Sequence, residues 1–215
     1  TEIQVETPDS PYVVYRSNII NDTSGNNNQQ ADFGESILWD IQLRNISDSF
    51  KAYGVTTKLR AQDSLAVITD SVEVYGDLDP LKDSLRTSAY SFELKDTIKD
   101  QQKVRFKLIA SGLDEDSNPY EWTSNIKLTV NAPDLKIENY FIDDQDENNN
   151  GILDPGETAK IKLVVSNSGH SAIANVSGKV TRLGGSTYFS VVEGTTSPVA
   201  LEANQRDTLQ FVVSV

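Results

Sequence analysis

The stretch Ile37-Leu-Trp-Asp-Ile-Gln-Leu-Arg44 alternates large apolar residues with mostly polar ones. Its odd-numbered positions, from Ile37 to Leu43, fall on one face of an extended chain, because successive side chains of a β-strand point to opposite faces. This period of two predicts a half-buried strand. Trp39 lies on the apolar face, where we expect it to be part of a core.

The same pattern occurs a second time, because residues 142–167 restate residues 20–45. The alternating run 159–165 lies over the run that begins at Ile37. Each run follows an acidic, Asn-rich loop that ends in Gly-Glu, at Glu35 and at Glu157. The chain is therefore predicted to contain two copies of one module.

The repeat also predicts the domain boundaries. The first copy covers residues 11–132 and the second covers residues 133–215, with no room for a flexible tether between them. Residues 1–10 are predicted to be the closing strand of an upstream module or a linker. The alternative for this segment is that it completes the second copy in a neighbouring molecule.

The end of the second copy matches the first copy less directly. Asp207-Thr-Leu-Gln-Phe211 is aligned with Gln102-Lys-Val-Arg-Phe106. The closing run of the first copy, residues 122–130, then has no counterpart. The second copy is therefore predicted to lack its last strand, which would leave an open sheet edge.

Both copies are predicted to be β structure throughout, with helical periodicity nearly absent. Further alternating runs are separated by turn residues, a pattern typical of a sandwich of about seven strands. These runs are 55–59, 104–108, 126–130, 176–180 and 209–213. The predicted fold class is all-β, with two tandem immunoglobulin-like (fibronectin-like) β-sandwich domains.

The composition excludes several classes of function. The chain has 19 Lys and Arg against 32 Asp and Glu, one His and no Cys. It can hold no thiol nucleophile, disulfide, Cys-ligated metal or multi-His metal site. The net charge of −13 disfavours nucleic acid as a partner. No apolar run approaches the length of a membrane span, and residues 1–30 are not expected to be a signal peptide.

Residues 146–157 satisfy the calcium-loop pattern D-x-[DN]-x-[DN]-G-x5-E at every specified position. A hard cation needs six to eight oxygen ligands, which short oxygen side chains on a tightly curling chain can supply. Ile152 would contribute its backbone carbonyl. The predicted calcium ligands are Asp144, Asp146, Asn148, Asn150, Ile152, Asp154 and Glu157. The alternative is a surface turn that binds nothing, since Asn, Asp and Gly favour turns anyway.

The first copy carries a weaker form of this loop. Gln29 stands where the pattern has Gly, and position one has no charge, although Asp22 can compensate because it matches Asp144. The corresponding ligand positions are Asp22, Ser24, Asn26, Asn28, Gln30, Asp32 and Glu35. The sequence leaves open whether this first site binds calcium.

The remaining candidates for chemistry have simpler interpretations. His170 lies in a turn and is expected at the surface. The acidic residues 114–116 could supply a carboxylate pair for glycoside hydrolysis, but a solvated loop is the favoured interpretation. Trp122 could stack on a sugar, although its place at the start of a strand favours packing.

The triplet of Asp, then Ser or Thr, then an aliphatic residue occurs five times. It resembles the O-glycosylation acceptor motif that the bacterial group including the gingipain producers uses on exported proteins. The corresponding hydroxyl residues are Ser64, Ser71, Ser84, Thr97 and Thr208.

Three segments of the second copy resemble a known family, namely Asp143 to Ala159, Ser166 to Gly169 and Asn175 to Gly178. They are similar to the tandem immunoglobulin-like modules that follow the catalytic domain in gingipain-family cysteine peptidases and related exported proteins. The resemblance implies export to the cell surface or the extracellular space, and a large multidomain parent. The catalytic Cys and His of that family have no match in this chain.

The leading hypothesis is a non-catalytic, calcium-stabilised spacer or accessory region of a secreted or surface-anchored bacterial peptidase. Its partners would be the upstream and downstream domains of the parent chain. The alternative is an adhesin-type module that binds a glycan or a host protein, with Tyr12, Tyr120 and Trp122 as the residues to inspect. A carboxylate-based hydrolase is a third hypothesis.

Overall fold

The computed structural model describes residues 8–184 and 187–215, and these residues form strands, turns and irregular segments without a helix. The chain divides into two compact units, Thr1–Asn131 and Ala132–Val215. This division falls one residue before the predicted boundary. Together with the sheets below, it gives the all-β, immunoglobulin-like fold class that the alternating pattern predicts.

The prediction for residues 1–10 lies mostly outside the described residues, since the structure describes only 8–10 of them. These three form no strand.

The first unit contains eight strands in its described residues. They are β1 (Val13–Asn21), β2 (Ser36–Asn45), β3 (Ala52–Ala61), β4 (Ala66–Asp70), β5 (Val72–Leu78), β6 (Asp83–Leu94), β7 (Gln102–Leu113) and β8 (Pro119–Val130). They form two four-stranded sheets with the orders β1-β2-β6-β4 and β5-β3-β7-β8. All the pairings are antiparallel.

The core of the first unit lies between these sheets, around three aromatic rings. Trp39 of β2 is fully buried, as predicted, and its ring centroid lies 5.4 Å from that of Phe92 and 5.0 Å from that of Phe106. Phe92 and Phe106 are 4.9 Å apart. Because Phe92 is on β6 and Phe106 on β7, this cluster joins the two sheets.

The second unit contains six strands in its described residues. They are β9 (Leu135–Asp143), β10 (Thr158–Asn167), β11 (Ile173–Val176), β12 (Ser190–Glu193), β13 (Val199–Leu201) and β14 (Arg206–Ser214). One sheet has the order β12-β14-β10-β9, and the other contains only β11 and β13. Apart from β7 and β8, each strand of the first unit has a counterpart here.

The pairing register identifies β14 as the counterpart of β6. Thr158 of β10 pairs with Ser214, and the matching Ser36 of β2 pairs with Glu93 of β6. In the same way, Ile161 pairs with Phe211 where Trp39 pairs with Tyr90. The alignment of residues 207–211 with residues 102–106 on β7 is therefore wrong. Within the described residues, the second unit lacks counterparts of both β7 and β8, rather than of the closing strand alone.

One buried polar residue ends the second strand of each unit and ties nearby loops together. The side-chain amide of Asn45 donates to the carbonyls of Phe50 and Leu78, at 2.8 and 3.0 Å. That of Asn167 donates to Ser171 and Leu201, at 2.8 and 3.2 Å. The two copies thus share these buried Asn hydrogen bonds as well as the apolar face of the strand.

Candidate metal-binding loops

The two acidic loops occupy the same place in their units. Loop 1, residues 22–35, joins β1 to β2, and loop 2, residues 144–157, joins β9 to β10. Both loops turn through left-handed backbone conformations, with φ of 62° at Gln29 and 74° at Gly151. A residue with a side chain adopts this conformation at a cost of roughly 1 to 2 kcal/mol. Loop 1 therefore keeps the turn despite its Gln, but with strain that loop 2 avoids.

A buried aspartate at the start of each loop holds the turn in place. In loop 2 the Asp144 carboxylate accepts hydrogen bonds from the backbone N–H groups of Asn150, at 2.8 Å, and Gly151, at 3.1 Å. In loop 1 the Asp22 carboxylate accepts from Asn28 and Gln29, at 2.8 and 3.1 Å. Both aspartates are almost completely buried. Their role in the structure is to brace the loop backbone, which the ligand pattern does not indicate.

At the centre of each loop, a second aspartate accepts hydrogen bonds from two side-chain amides. In loop 2, Asn148 and Asn150 donate to Oδ2 of Asp154, at 3.0 and 2.8 Å. These two hydrogen bonds hold the pKa of Asp154 below its usual value, and the one from Asn150 has the larger effect.

Loop 1 repeats this centre with the matching residues. Asn26 and Asn28 donate to Oδ2 of Asp32, at 2.7 and 2.8 Å. Donors with partial positive charge thus face a carboxylate in the middle of both loops.

The glutamate at the end of each loop accepts a hydrogen bond from the backbone of the central aspartate, Asp32 or Asp154. The backbone N–H of Asp154 donates to Oε2 of Glu157, at 2.9 Å, and that of Asp32 donates to Oε2 of Glu35, at 3.2 Å. Burial raises the pKa of Glu35 above its usual value, against the lowering effect of N–H donors from Asn26 and Asp32. The carboxylates of Asp32 and Asp22 also raise it.

One carboxylate oxygen in loop 1 has no partner. Asp32 is 2 % exposed, and its Oδ1 accepts no hydrogen bond from any described residue. Leaving a buried charged acceptor unsatisfied costs about 1 to 3 kcal/mol or more. The loop with the weaker sequence match therefore contains a buried acceptor oxygen that a bound cation would satisfy.

Loop 1 also forms backbone hydrogen bonds with the residue that follows β8, a strand of the other sheet. The backbone of Asn131, just after β8, accepts from the N–H of Phe33 and donates to the carbonyl of Ala31, both at 2.9 Å. The second unit has no counterpart of β8 among its described residues. This clamp is therefore specific to loop 1.

The remaining four predicted ligands also make other contacts. The Ser24 hydroxyl donates to the carbonyl of Ser36, at 3.0 Å, and the Gln30 side chain accepts from Asn131, at 2.6 Å. Asp146 is exposed and forms an ion pair with Lys160 at 3.4 Å. Ile152 is exposed, and its N–H donates to Oδ1 of Asn150 at 2.7 Å. Six of the seven predicted residues of each loop are thus joined by hydrogen bonds, and the exceptions are Ser24 and Asp146.

The oxygen atoms of both loops fit a hard cation if the Asn side chains rotate to turn their oxygens inward. Among the described residues, no three His, Cys, Asp or Glu side chains are placed to hold a metal by themselves. A calcium loop, however, also uses amide and backbone oxygens. The Asn oxygens now accept backbone N–H groups, so the Asn side chains would have to rotate to turn oxygen inward. Because an Asn side chain carries an acceptor oxygen and a donor NH₂ group of similar shape, such a rotation exchanges one for the other in the same space.

The other candidates have structural roles. Asp114 accepts from the backbone N–H groups of Asp116 and Asn118, at 3.0 and 2.8 Å, and so closes its own turn. Trp122 is buried, as predicted, and its Nε1 donates to the carbonyl of Pro11 at 3.1 Å. His170 is at the surface, also as predicted. A sugar cannot stack on the buried indole of Trp122.

The predicted glycosylation residues differ in exposure. Ser64, Thr97 and Thr208 are exposed, whereas Ser71 and Ser84 are half-buried. Nothing in the described part of the chain is a helix of the length and hydropathy that crossing a membrane requires.

No family model matches the sequence, and no curated protein matches it. The solved structures similar to this chain include one named BspA_C_WT, with 14 % identity, a TM-score of 0.29, and coverage of 92 % of this chain and 90 % of that chain. Another is the CsuC-CsuE chaperone-tip adhesion subunit pre-assembly complex of Acinetobacter baumannii, with 12 % identity, a TM-score of 0.21, and coverage of 83 % and 82 %.

A third is the secreted serine protease VesC of Vibrio cholerae, with 8 % identity and a TM-score of 0.26. There the match covers 86 % of this chain and 43 % of that one. At these identities and TM-scores, the likenesses do not bear on function.

Proposed function

We propose that this chain is a pair of non-catalytic accessory modules of an exported protein, in which the two acidic loops bind Ca²⁺ and stabilise the fold. The observation that carries the proposal is the buried Oδ1 of Asp32, which no described residue satisfies. The repetition of the same bracing aspartate and amide pair in loop 2 supports it. The metal would supply positive charge to a group of oxygens and would take no part in a reaction.

In loop 1 the ligands would be the side chains of Asn26, Asn28, Asp32 and Glu35 and the carbonyl of Gln30. In loop 2 they would be Asn148, Asn150, Asp154 and Glu157 with the carbonyl of Ile152, and Asp146 after leaving Lys160. Asp22 and Asp144 would hold the backbone that presents these ligands. Each ion would then connect the end of one strand to the start of the next.

The size of the effect follows from linkage. Extracellular calcium modules bind at about 0.1 to 1 mM, and free calcium at ten times the dissociation constant stabilises a unit by about 1.4 kcal/mol. For the second unit, Ala132–Val215, that corresponds to a rise in Tm of about 6 to 11 °C, and for the larger first unit to a somewhat smaller rise.

The experiment compares thermal unfolding in millimolar CaCl₂, in MgCl₂ and in EDTA. Both tryptophans, Trp39 and Trp122, are in the first unit, so their fluorescence reports on that unit alone. The test variant is Asp32→Asn, and the control is Asp116→Asn, which changes an exposed aspartate of the same unit. We expect calcium to raise the Tm of the wild type and of the control only.

In EDTA the expected order is reversed. Asp32→Asn removes a buried charge whose Oδ1 accepts no hydrogen bond from a described residue, and the new amide oxygen can still accept from Asn26 and Asn28. Its Tm should therefore equal or exceed that of the wild type. If calcium leaves the wild-type transition unchanged, or raises that of Asp32→Asn equally, the calcium proposal is wrong.

The resemblance of residues 143–159 to modules of gingipain-family proteins supports a peptidase as the parent. The parent's catalytic domain would then precede these modules, and export would place them outside the cell. Glycan attachment at the exposed Ser64, Thr97 and Thr208 would agree with that location. Intact mass measurement of the protein secreted by its native host tests this attachment.

The adhesin-type alternative is favoured by exposed aromatic side chains. Tyr12 is 45 % exposed and Tyr140 is 67 % exposed. A glycan array and immobilised host matrix proteins, probed with the wild type and with Tyr12→Ala and Tyr140→Ala, test it. Binding that either substitution removes would support a recognition function.

A further inference from the structure

The second unit has an apolar groove that its own described strands leave open. The groove has a volume of about 320 Å³ and runs between β9, β10, β14 and the segment after β11. Its lining includes Leu135, Ile137, Leu163, Val176, Leu209 and Phe211. The inner face of a sandwich sheet is normally covered by the opposite sheet.

The internal repeat shows that these positions are normally buried. Leu135 pairs with Asn167 as Val13 pairs with Asn45, so Leu135 and Val13 are equivalent. Val13 is 2 % exposed, whereas Leu135 is 44 % exposed. By the same register, Ile137 matches the half-buried Tyr15 and is 68 % exposed.

In the first unit, β7 and β8 cover this face. The N–H of Tyr15 donates to the Ser124 hydroxyl of β8, at 3.2 Å, and Trp122 of β8 binds the carbonyl of Pro11. From β7, Phe106 packs on Trp39 of β2. The exposed face of the second unit therefore has a known complement in the same chain.

The backbone leads to the same conclusion. In the first unit β3 pairs with β5 on one side and with β7 on the other. Its counterpart β11 pairs, within the described residues, with β13 alone. The second edge of β11 thus offers main-chain groups to an added strand, beside a groove that accepts its apolar side chains.

We propose that the second unit is completed by a β-hairpin of the β7–β8 type, which adds to the free edge of β11 and places alternating apolar side chains in the groove. A second copy of this chain does not offer such a hairpin, because its β7 and β8 are paired with each other, and β7 is also paired with β3. The occupant is a hairpin that is not already part of a sheet.

The test uses the full chain with an extension that copies its own hairpin. Val215 donates to the carbonyl of Glu157 as Leu94 donates to that of Glu35, so Val215 stands at the position of Leu94. Residues 95–131 are therefore appended directly after Val215. The extension restores in one polypeptide the order of strands found in the first unit.

We expect the extended chain to stay monomeric by light scattering and to bind the apolar dye ANS several-fold less than the parent chain. Amide exchange along residues 173–176 should slow by about tenfold or more, because these groups gain a strand partner.

Two substitutions show whether the groove is responsible. Ile137→Glu puts a charge on a groove residue that is already exposed, so the parent chain should fold normally. The control Val192→Glu adds the same charge at an apolar residue that is 58 % exposed and does not line the groove. The extension should protect residues 173–176 in the control and fail to do so in Ile137→Glu.

The proposal is overturned if the extension leaves both dye binding and exchange unchanged, or if Ile137→Glu docks the hairpin as well as the control does. A concentration-dependent dimer of the parent chain that Ile137→Glu abolishes would also overturn it. That result would assign the groove to a second copy instead.

Discussion

Replacing Asp144 by Ala should destabilise the second unit even when no metal is available. The Asp144 carboxylate binds the backbone N–H groups of Asn150 and Gly151, at 2.8 and 3.1 Å, and is 2 % exposed. A hydrogen bond to a charged group contributes about 1.5 to 3 kcal/mol. Because both donors are in an exposed loop and regain water, we take each bond at or slightly below the low end, and the pair gives about 2 to 3 kcal/mol.

The matched comparison is Asp146→Ala, two residues along the same loop. Its carboxylate is mostly exposed and, among the described residues, forms an ion pair with Lys160 at 3.4 Å. An exposed ion pair of this kind contributes up to about 1 kcal/mol and often nothing measurable. In our proposal Asp146 is a calcium ligand but does not hold the loop backbone. Comparing the two variants therefore distinguishes loss of a ligand from loss of the backbone hydrogen bonds.

The assay is calorimetric unfolding in EDTA, with amide exchange of residues 160–165 to identify the transition of the second unit. Asp144→Ala should lower its Tm by roughly 10 to 20 °C, and Asp146→Ala by a few degrees at most. In calcium, both variants should lose the stabilisation that the wild type gains. Equal Tm values for Asp144→Ala and the wild type in EDTA would refute the bracing role.

Three further results are expected. Asn167→Ala should cost about 2 to 4 kcal/mol in chemical denaturation, since it leaves several buried backbone groups without partners. Gly25→Ala should reduce the calcium response of the first unit, because a Cβ would lie 2.3 Å from Oε1 of Glu35 and displace that carboxylate. Burial raises the pKa of Tyr90 to about 12 from 10, so the neutral form is favoured in the folded state. Stability should therefore fall as pH rises from 10 to 12, by about 2 to 3 kcal/mol from Tyr90, and Tyr90→Phe should remove that part of the fall. Burial also raises the pKa of Tyr75, so the variant should keep a further loss over the same range. The 295 nm absorbance of tyrosinate should appear late in both proteins.

The strands at the start of each unit could be predicted from sequence because two signals coincide there. Alternation places Trp39 and its neighbours on a buried face, and the adjacent acidic loop repeats. At the end of the second unit only alternation remains. All strands share that period, so a five-residue match could not distinguish β6 from β7. The pairing of Ile161 with Phe211 makes the distinction.

The extent of one strand was also not predictable. Residues 176–180 alternate like a strand, yet β11 ends at Val176. Asn175 has a φ of 60°, and a Cβ on Gly178 would lie 2.7 Å from the ring of Phe211. The pairing resumes at an isolated antiparallel bridge between Lys179 and Thr195, so the predicted strand is interrupted after Val176.

In the loops, the ligand pattern located the right residues but did not separate their roles. Spacing predicts which oxygens lie near each other, whereas burial and hydrogen bonding decide which are available to a cation. Asp22 and Asp144 are occupied by backbone N–H groups, while Oδ1 of Asp32 is not. The identity of Asp22 and Asp144 in both copies, beside the difference between Ser24 and Asp146, was the signal of a shared structural role.

The same brace should therefore matter differently in the two units. Among the described residues, the core cluster of the first unit has twenty-five buried members and that of the second has four. Apolar burial is the main favourable term in folding, so the second unit has the smaller reserve of stability. Asp22→Ala and Asp144→Ala remove equivalent hydrogen bonds, but the same loss should leave the first unit folded and bring the second near its unfolding midpoint. A docked hairpin would supply the missing apolar contacts, and Asp144→Ala should then be tolerated in the extended chain. If the extension does not reduce the Tm loss caused by Asp144→Ala, the open groove is not the source of that sensitivity.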